Sequence, residues 1–207
     1  MPKIVNERYK EFLEKGSIEL FTIDELDKAL VKVSNSKYGE QARCFLIVLY
    51  YTGARPVELL QLKPTNFAKK KTYLTIHIPT AKRGVPRIIS IPLARKYAKE
   101  LWKYASSLFE DIYIFYDLAN KRTRTYTTKR GVIKQYTIVT DRVYYLIKKW
   151  VGVNPYFFRH SRMSALSQNG ADMNELRQFK GAKSFDSVYP YLHMSSKMSQ
   201  SIGRKLK

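Results

Sequence analysis

The sequence predicts a mainly α-helical domain with a small antiparallel β-sheet. Three observations carry that prediction: apolar residues recur at helical spacing behind N-terminal caps, two β-rich runs flank a turn, and Gly or Pro marks the segment ends. Thr22-Ile23-Asp24-Glu25 has the form of a capping box, in which Thr22 accepts from a free amide and Glu25 reaches back. Leu26, Leu30 and Val33 follow at helical spacing, so a helix starts here. After Gly39-Glu40, the residues Ala42, Phe45, Leu46, Leu49 and Tyr50 are apolar on nearly all sides, as in a central buried helix that Gly53 caps. Pro56 suits the first turn of a further helix to about Gln61, because its missing N–H would have no partner there. Arg55 therefore stands at a helix entrance.

The runs Tyr73 to Ile78 and Pro86 to Ile91 are β-rich, and Lys82-Arg83-Gly84 between them supplies a turn, predicting a hairpin with a basic tip. Helical patterns return at about Leu93 to Ser106 and again after Thr140, where Val143, Leu146, Ile147 and Trp150 share a face until Asn154-Pro155 interrupts. Asp172 and Glu175 form a cap-like start for another helix. The stretch from Lys121 to Lys134 shows no helical period and reads as a solvated loop.

Composition limits the partner. The 207 residues carry 38 Lys+Arg against 17 Asp+Glu, a formal net charge of +21, so a polyanion is the natural ligand. With 44% hydrophobic and 14% aromatic residues the chain still buries a core, which excludes a disordered basic tail for most of its length. Charge alone fits a ribosomal or RNA-binding protein equally well. Lys121, Arg122, Arg124, Lys129, Arg130 and Lys134 interleave with Thr residues and Tyr126, the side-chain types that contact phosphate backbones, so contact with a DNA backbone is expected rather than an idle basic surface. Cys44 is the single cysteine, so no intramolecular disulfide or cysteine-based zinc site forms. Its apolar neighbours mark it as core in an intracellular chain. No apolar stretch is long enough to cross a bilayer, and Met1-Pro2-Lys3 opens no signal peptide, so a soluble, cytoplasmic protein is expected.

Two blocks carry the chemistry. The first is Thr52-Gly53-Ala54-Arg55-Pro56-Val57-Glu58-Leu59-Leu60. Arg55 offers a planar fork suited to two phosphate oxygens, and Glu58 at i+3 can orient it from the same helical face. The second runs Tyr156-Phe157-Phe158-Arg159-His160-Ser161, then Gly170-Ala171-Asp172, then Gly181, then Tyr191-Leu192-His193. Together they resemble the catalytic blocks of the tyrosine recombinases, over about Phe21 to Met194.

That resemblance implies the tyrosine recombinase catalytic-domain fold and DNA strand exchange without metal or cofactor. It casts Arg55 and Arg159 as the phosphate clamp, Tyr191 as nucleophile and Lys82 as general acid, with Arg83 the rival for that last role. Lys82 is favoured because an ammonium releases a proton far more readily than a guanidinium. Tyrosine suits the task because its phenolate is a competent nucleophile and a tolerable leaving group, so bond energy is kept in a phosphotyrosine.

The sequence departs from the family at Tyr156, where relatives carry histidine, and at Ala182, where His or Trp usually follows the glycine. Tyr156 can donate one hydrogen bond to a phosphate or simply pack, and Lys183 is a candidate for the donor missing at Ala182. His160 and His193 fit neighbouring family positions as supporting groups, again with packing as the alternative. Pro190 is expected to bias Tyr189 away from helical geometry, leaving Tyr191 as the nucleophile and Tyr189 as a decoy.

The expected organisation is a linker or N-terminal extension over 1–20, a catalytic domain over 21–194 and a tail over 195–207 that relatives exchange between protomers. The expected partners are double-stranded DNA attachment sites and a DNA-dependent homo-oligomer, a tetramer in synapsis. The departures and the Lys- and Tyr-rich composition look like integrases of archaeal viruses and plasmids. A type IB topoisomerase and a catalytically silent DNA-binding module are the alternatives.

Overall fold

A computed structural model describes residues 20–80, 84–110, 112–119, 122–127, 133–138 and 140–192, and for residues 119–141 the backbone elements alone. Lys82, Arg83, Lys121, Lys129, Arg130, His193, the tail and all of the N-terminal extension but Leu20 lie outside the described residues.

Helix α1 (Ile23–Ser34) has the expected capping box, with Glu25 N–H donating to Thr22 Oγ1 and Thr22 N–H to the Glu25 carboxylate. It buries Leu26, Leu30 and Val33 against α2 (Gly39–Thr52). Helix α2 is buried almost all round from Ala42 to Leu49, so its exposed polar cost is small and it forms the centre of the domain. Cys44 lies inside this helix, and burial pushes its thiol far up, which fits a core residue. Gly53 caps α2 in the left-handed region at φ 53°. A Cβ there would stand 3.2 Å from Arg159 Cα, so glycine lets the end of α2 touch the helix carrying Arg159.

The helix entered by Arg55 is short: α3 covers Pro56–Leu59, and the chain to Gln61 is a turn rather than more helix. After a 3-10 turn at Pro64–Asn66 comes a three-stranded antiparallel sheet in the order β1 (Phe67–Lys70), β2 (Tyr73–Ile78), β3 (Arg87–Pro92). The expected hairpin is β2–β3, with Ile78 opposite Arg87 at the end nearest the tip. Strand β1 is an addition that the sequence did not announce, since only Phe67 of Phe-Ala-Lys-Lys is buried and the run alternates weakly.

Helix α4 covers Ala98–Ser106, not Leu93 onward. Tyr97 takes φ 68°, and its hydroxyl donates to Asp27 on α1, so the turn before the helix is fixed by a tertiary contact rather than by helical periodicity. After a short α5 (Tyr116–Ala119), the stretch read as a solvated loop is instead a two-stranded antiparallel ribbon, β4 (Arg122–Thr127) with β5 (Ile133–Ile138). Arg-Thr-Arg-Thr-Tyr-Thr does alternate with a period of two, but without apolar residues the pattern lacks the usual signal of a strand.

Three helices complete the body: α6 (Thr140–Val151), α7 (Pro155–Gln168) capped by Asn154, and α8 (Met173–Lys180) with the expected Asp172–Glu175 capping box. A last turn, α9 (Tyr189–Leu192), includes Tyr189, contrary to the expected effect of Pro190. Pro190 lies in the first turn of that helix, where its missing N–H and fixed φ are tolerated. Helix α7 packs on α2, α8 packs on β3 and α9 on α7, which draws both sequence blocks to one side of the domain.

Candidate active site

Glu58 is the hub. Its carboxylate is 1% exposed and accepts from the Arg55 backbone amide at 2.9 Å, from Arg55 Nη1 at 2.9 Å and from Arg87 Nη2 at 3.0 Å. Burial pushes this carboxyl up, but Arg87, the Arg55 amide and Arg159 outweigh it and hold it below the usual carboxylate range. Glu58 therefore stays ionised and fixes both guanidiniums. The sequence pointed to Glu58 orienting Arg55; it did not point to Arg87, which read as an ordinary strand residue. The signal available was a cation at a β-strand position that faces inward.

Arg159 reaches the same place from α7. It is buried, with Nη1 donating to the Gly53 carbonyl at 3.1 Å and Nη2 donating to the Lys180 carbonyl. Desolvation, Arg87 and Arg55 together lower its pKa to about 10, so it remains a cation. The carbonyls at the ends of α2 and α8, each followed or occupied by a left-handed glycine, thus aim this guanidinium.

Gly181, at φ 64°, closes the arrangement from below. A Cβ there would stand 2.7 Å from the Val85 carbonyl and 3.0 Å from Arg87 Nη1, and the Val85 amide donates to Gly181 O at 3.0 Å. The β2–β3 hairpin is therefore strapped to the second block next to its tip. A methyl at Gly84 would lie 4.0 Å from Arg55 Nη1, so the chain at Gly84 passes beside Arg55.

Tyr191 sits on the same side. Its ring is 2% exposed, its hydroxyl lies 2.5 Å from His160 Nδ1, and its carbonyl accepts from Ser167 Oγ at 2.5 Å. It lies close enough to Arg159 for the two to interact electrostatically. Desolvation, then Lys180 and Arg159, lower the His160 pKa to about 4, so the imidazole is neutral and a nitrogen can accept the phenol hydrogen. Tyr189, by contrast, is 49% exposed.

The remaining expected residues divide. Tyr156 is 43% exposed and packs on Tyr144, with ring centroids 6.0 Å apart. Burial and the hydrogen bond with Tyr156 raise the Tyr144 hydroxyl, while Arg55 lowers it, so this tyrosine pair borders Arg55. Tyr144 was not singled out in the sequence. Lys183 is exposed, and the lysine brought against Tyr191 is Lys180, with Nζ 5.1 Å from the ring centroid. A cleft of about 650 Å³ between β3, α7 and α8 is lined by Arg95, Arg162 and Phe179 and shares only Arg87 with the cationic cluster. Among the described residues no group of three His, Cys, Asp or Glu is placed to hold a metal, and no helix is long and apolar enough to cross a membrane.

Comparison with known proteins gives a consistent outcome. The sequence model described as the phage integrase family matches residues 19–198. Tyrosine recombinase XerA of Pyrococcus furiosus is 25% identical over 179 residues, covering 85% of this chain and 57% of that protein. Tyrosine recombinase XerC of Treponema denticola is 27% identical over 164 residues, covering 74% of this chain and 52% of that protein. The chain thus spans between half and three fifths of the length of these curated relatives. The crystal structure of XerA recombinase superposes with a TM-score of 0.56 at 22% identity, covering 91% of this chain and 63% of that one. The catalytic domain of bacteriophage HP1 integrase gives 0.52 at 14% identity, covering 91% and 95%; both share the fold.

Proposed function

The chain belongs to the phage integrase family, and we propose that it is a site-specific DNA recombinase that cleaves and rejoins strands through a 3′-phosphotyrosine. The observation that carries this reading is the convergence of Arg55, Arg159 and Tyr191, from three separate helices, around one buried carboxylate and one neutral histidine.

In the proposed reaction, Arg55 and Arg159 hold the non-bridging oxygens of one phosphodiester and offset the charge of the pentacoordinate transition state. The Tyr191 hydroxyl oxygen bonds to phosphorus while its proton passes to His160 Nδ1. The bond to the 5′ oxygen breaks, and Lys82 gives that oxygen its proton. Attack by a 5′ hydroxyl of the partner duplex reverses the step, so the number of phosphoester bonds is unchanged and no ATP is needed. The strap from Gly181 to Val85 sets Gly84, next to the hairpin tip, beside Arg55, which favours Lys82 in this role over a lysine elsewhere.

Double-stranded DNA is the proposed partner. The +21 charge and the β4–β5 ribbon bearing Arg122, Arg124 and Lys134 favour it, because a two-stranded ribbon fits a DNA groove and its cations neutralise phosphates. The similar fold of XerH, solved bound to its difH substrate (TM-score 0.58, 17% identity, covering 89% of this chain and 53% of that one), favours DNA as well. A DNA-dependent oligomer, with residues 195–207 reaching a neighbour, belongs to the same proposal.

The test is a nicked suicide duplex, in which the cleaved fragment diffuses away and the adduct accumulates. Wild type is expected to form a covalent adduct, and Tyr191→Phe to bind the duplex without forming one. DNA binding with no adduct from wild type would instead identify a silent binding module. Relaxation of supercoils without joining of two marked duplexes would identify a topoisomerase.

A further inference from the structure

Resting on that reading, we infer that Lys180 is a second-line cation of the reaction, which acts through Tyr191 by favouring its phenolate. No sequence motif marks Lys180. It is half-buried in the last turn of α8, immediately before Gly181.

Two contacts fix it. Its carbonyl accepts from Arg159, and its ammonium donates to the Ser187 carbonyl in the loop leading to α9. The ammonium is thereby held over the face of the Tyr191 ring, 5.1 Å from the centroid. A cation over an aromatic face is attracted to the electron-rich ring, and the attraction grows when the phenol becomes a phenolate. The same placement in a partly desolvated site strengthens the effect relative to water.

The charged and titratable groups around Lys180 are Arg159 and His160 on α7, Arg55 at the start of α3, and Tyr191 on α9, with Glu58 and Arg87 behind the arginines. Burial, then Arg159, then Arg55 lower the Lys180 pKa to about 8, so it is mostly charged at neutral pH and gives up its proton only slightly above it. Ionised Tyr191 would place a negative charge beside this ammonium, in a neighbourhood that also holds Arg159 and Arg55. Lys180 is a positioning and charge-setting group; it is not assigned a contact with DNA.

The backbone carbonyl that holds Arg159 survives any substitution of the Lys180 side chain, and the pH profile separates the charge of the ammonium from its bond to the Ser187 carbonyl. The measurement is the rate of adduct formation on the suicide duplex from pH 6 to 9.5 for wild type, Lys180→Met, Lys180→Gln and Lys180→Arg, with thermal unfolding and duplex binding recorded for each. The neutral variants are expected to react about tenfold more slowly near pH 7, with the rising limb of the profile moved about one unit upward. Above about pH 8 the gap to wild type is expected to narrow, as wild-type Lys180 loses its own charge. Lys180→Arg is expected to keep the wild-type limb. Folded neutral variants whose rate falls by one factor at every pH, or does not fall, would overturn the inference while the recombinase reading stands. Absence of any adduct from wild type would remove both.

Discussion

The proposed arginine clamp and the proposed nucleophile are held in different ways. Arg55, Arg87 and Arg159 come from three elements; the first two share the buried Glu58, and Arg159 ends on the Gly53 and Lys180 carbonyls at two helix ends. Glu58, Arg87 and Arg159 are themselves buried. Tyr191 rides on a four-residue helix too short to be stable alone, placed by Ser167, His160 and the packing of Val188. The contrast teaches where specificity of geometry is invested. In the proposed reaction the clamp is preorganised, so the phosphate would meet donors already aimed, whereas the proposed attacking group is set by burial of its ring and a few polar bonds to α7.

The sharpest break would be in the clamp. Arg159→Ala should lower adduct formation by about a hundred- to a thousandfold, the usual cost of removing one transition-state donor. Lys in its place should recover little, because one ammonium cannot reach both carbonyls as the fork does. A single-turnover rate at saturating duplex measures this.

Glu58→Ala probes the body that carries the clamp. It leaves Arg87 buried without its counter-charge and should cost about 3–5 kcal/mol in denaturant unfolding. A loss as small as that of an exposed pair would place Glu58 outside the core.

On the nucleophile side the expected effect is smaller and depends on pH. His160 binds its proton near pH 4 when folded and near 6.5 when unfolded, so the unfolded chain holds more protons between these values. Its contribution to stability is complete above about pH 6.5 and disappears as pH falls to about 4, at most about 3 kcal/mol. Denaturation midpoints at pH 7 and 4.5 should converge in His160→Gln relative to wild type. The smallest effect belongs to a site remote from both regions: Thr22→Ala should cost about 1 kcal/mol through loss of the cap and leave cleavage unchanged.

The legibility of the sequence followed the same division. The capping boxes at Thr22 and Asp172, the buried run before Gly53, the hairpin strands and the Arg55–Glu58 pair are local patterns, and each is present in the fold. The residues missed were those whose role arises only in three dimensions. Arg87 stands twenty-nine positions from Glu58, Tyr144 borders Arg55 only because α6 approaches α3, and Lys180 is chosen over Lys183 by which side of the α8 terminus faces α9. The β4–β5 ribbon escaped notice because its alternation pairs Thr with cations rather than apolar with polar residues. Gly181 was visible as a motif letter, but its reason, a 2.7 Å approach to the Val85 carbonyl, belongs to the tertiary structure.

The most direct test of the central claim is to digest the covalent adduct formed on the suicide duplex and locate the nucleotide by peptide fragmentation. The account predicts phosphorus on the oxygen of Tyr191, the buried phenol beside His160. Attachment to the exposed Tyr189 would contradict it.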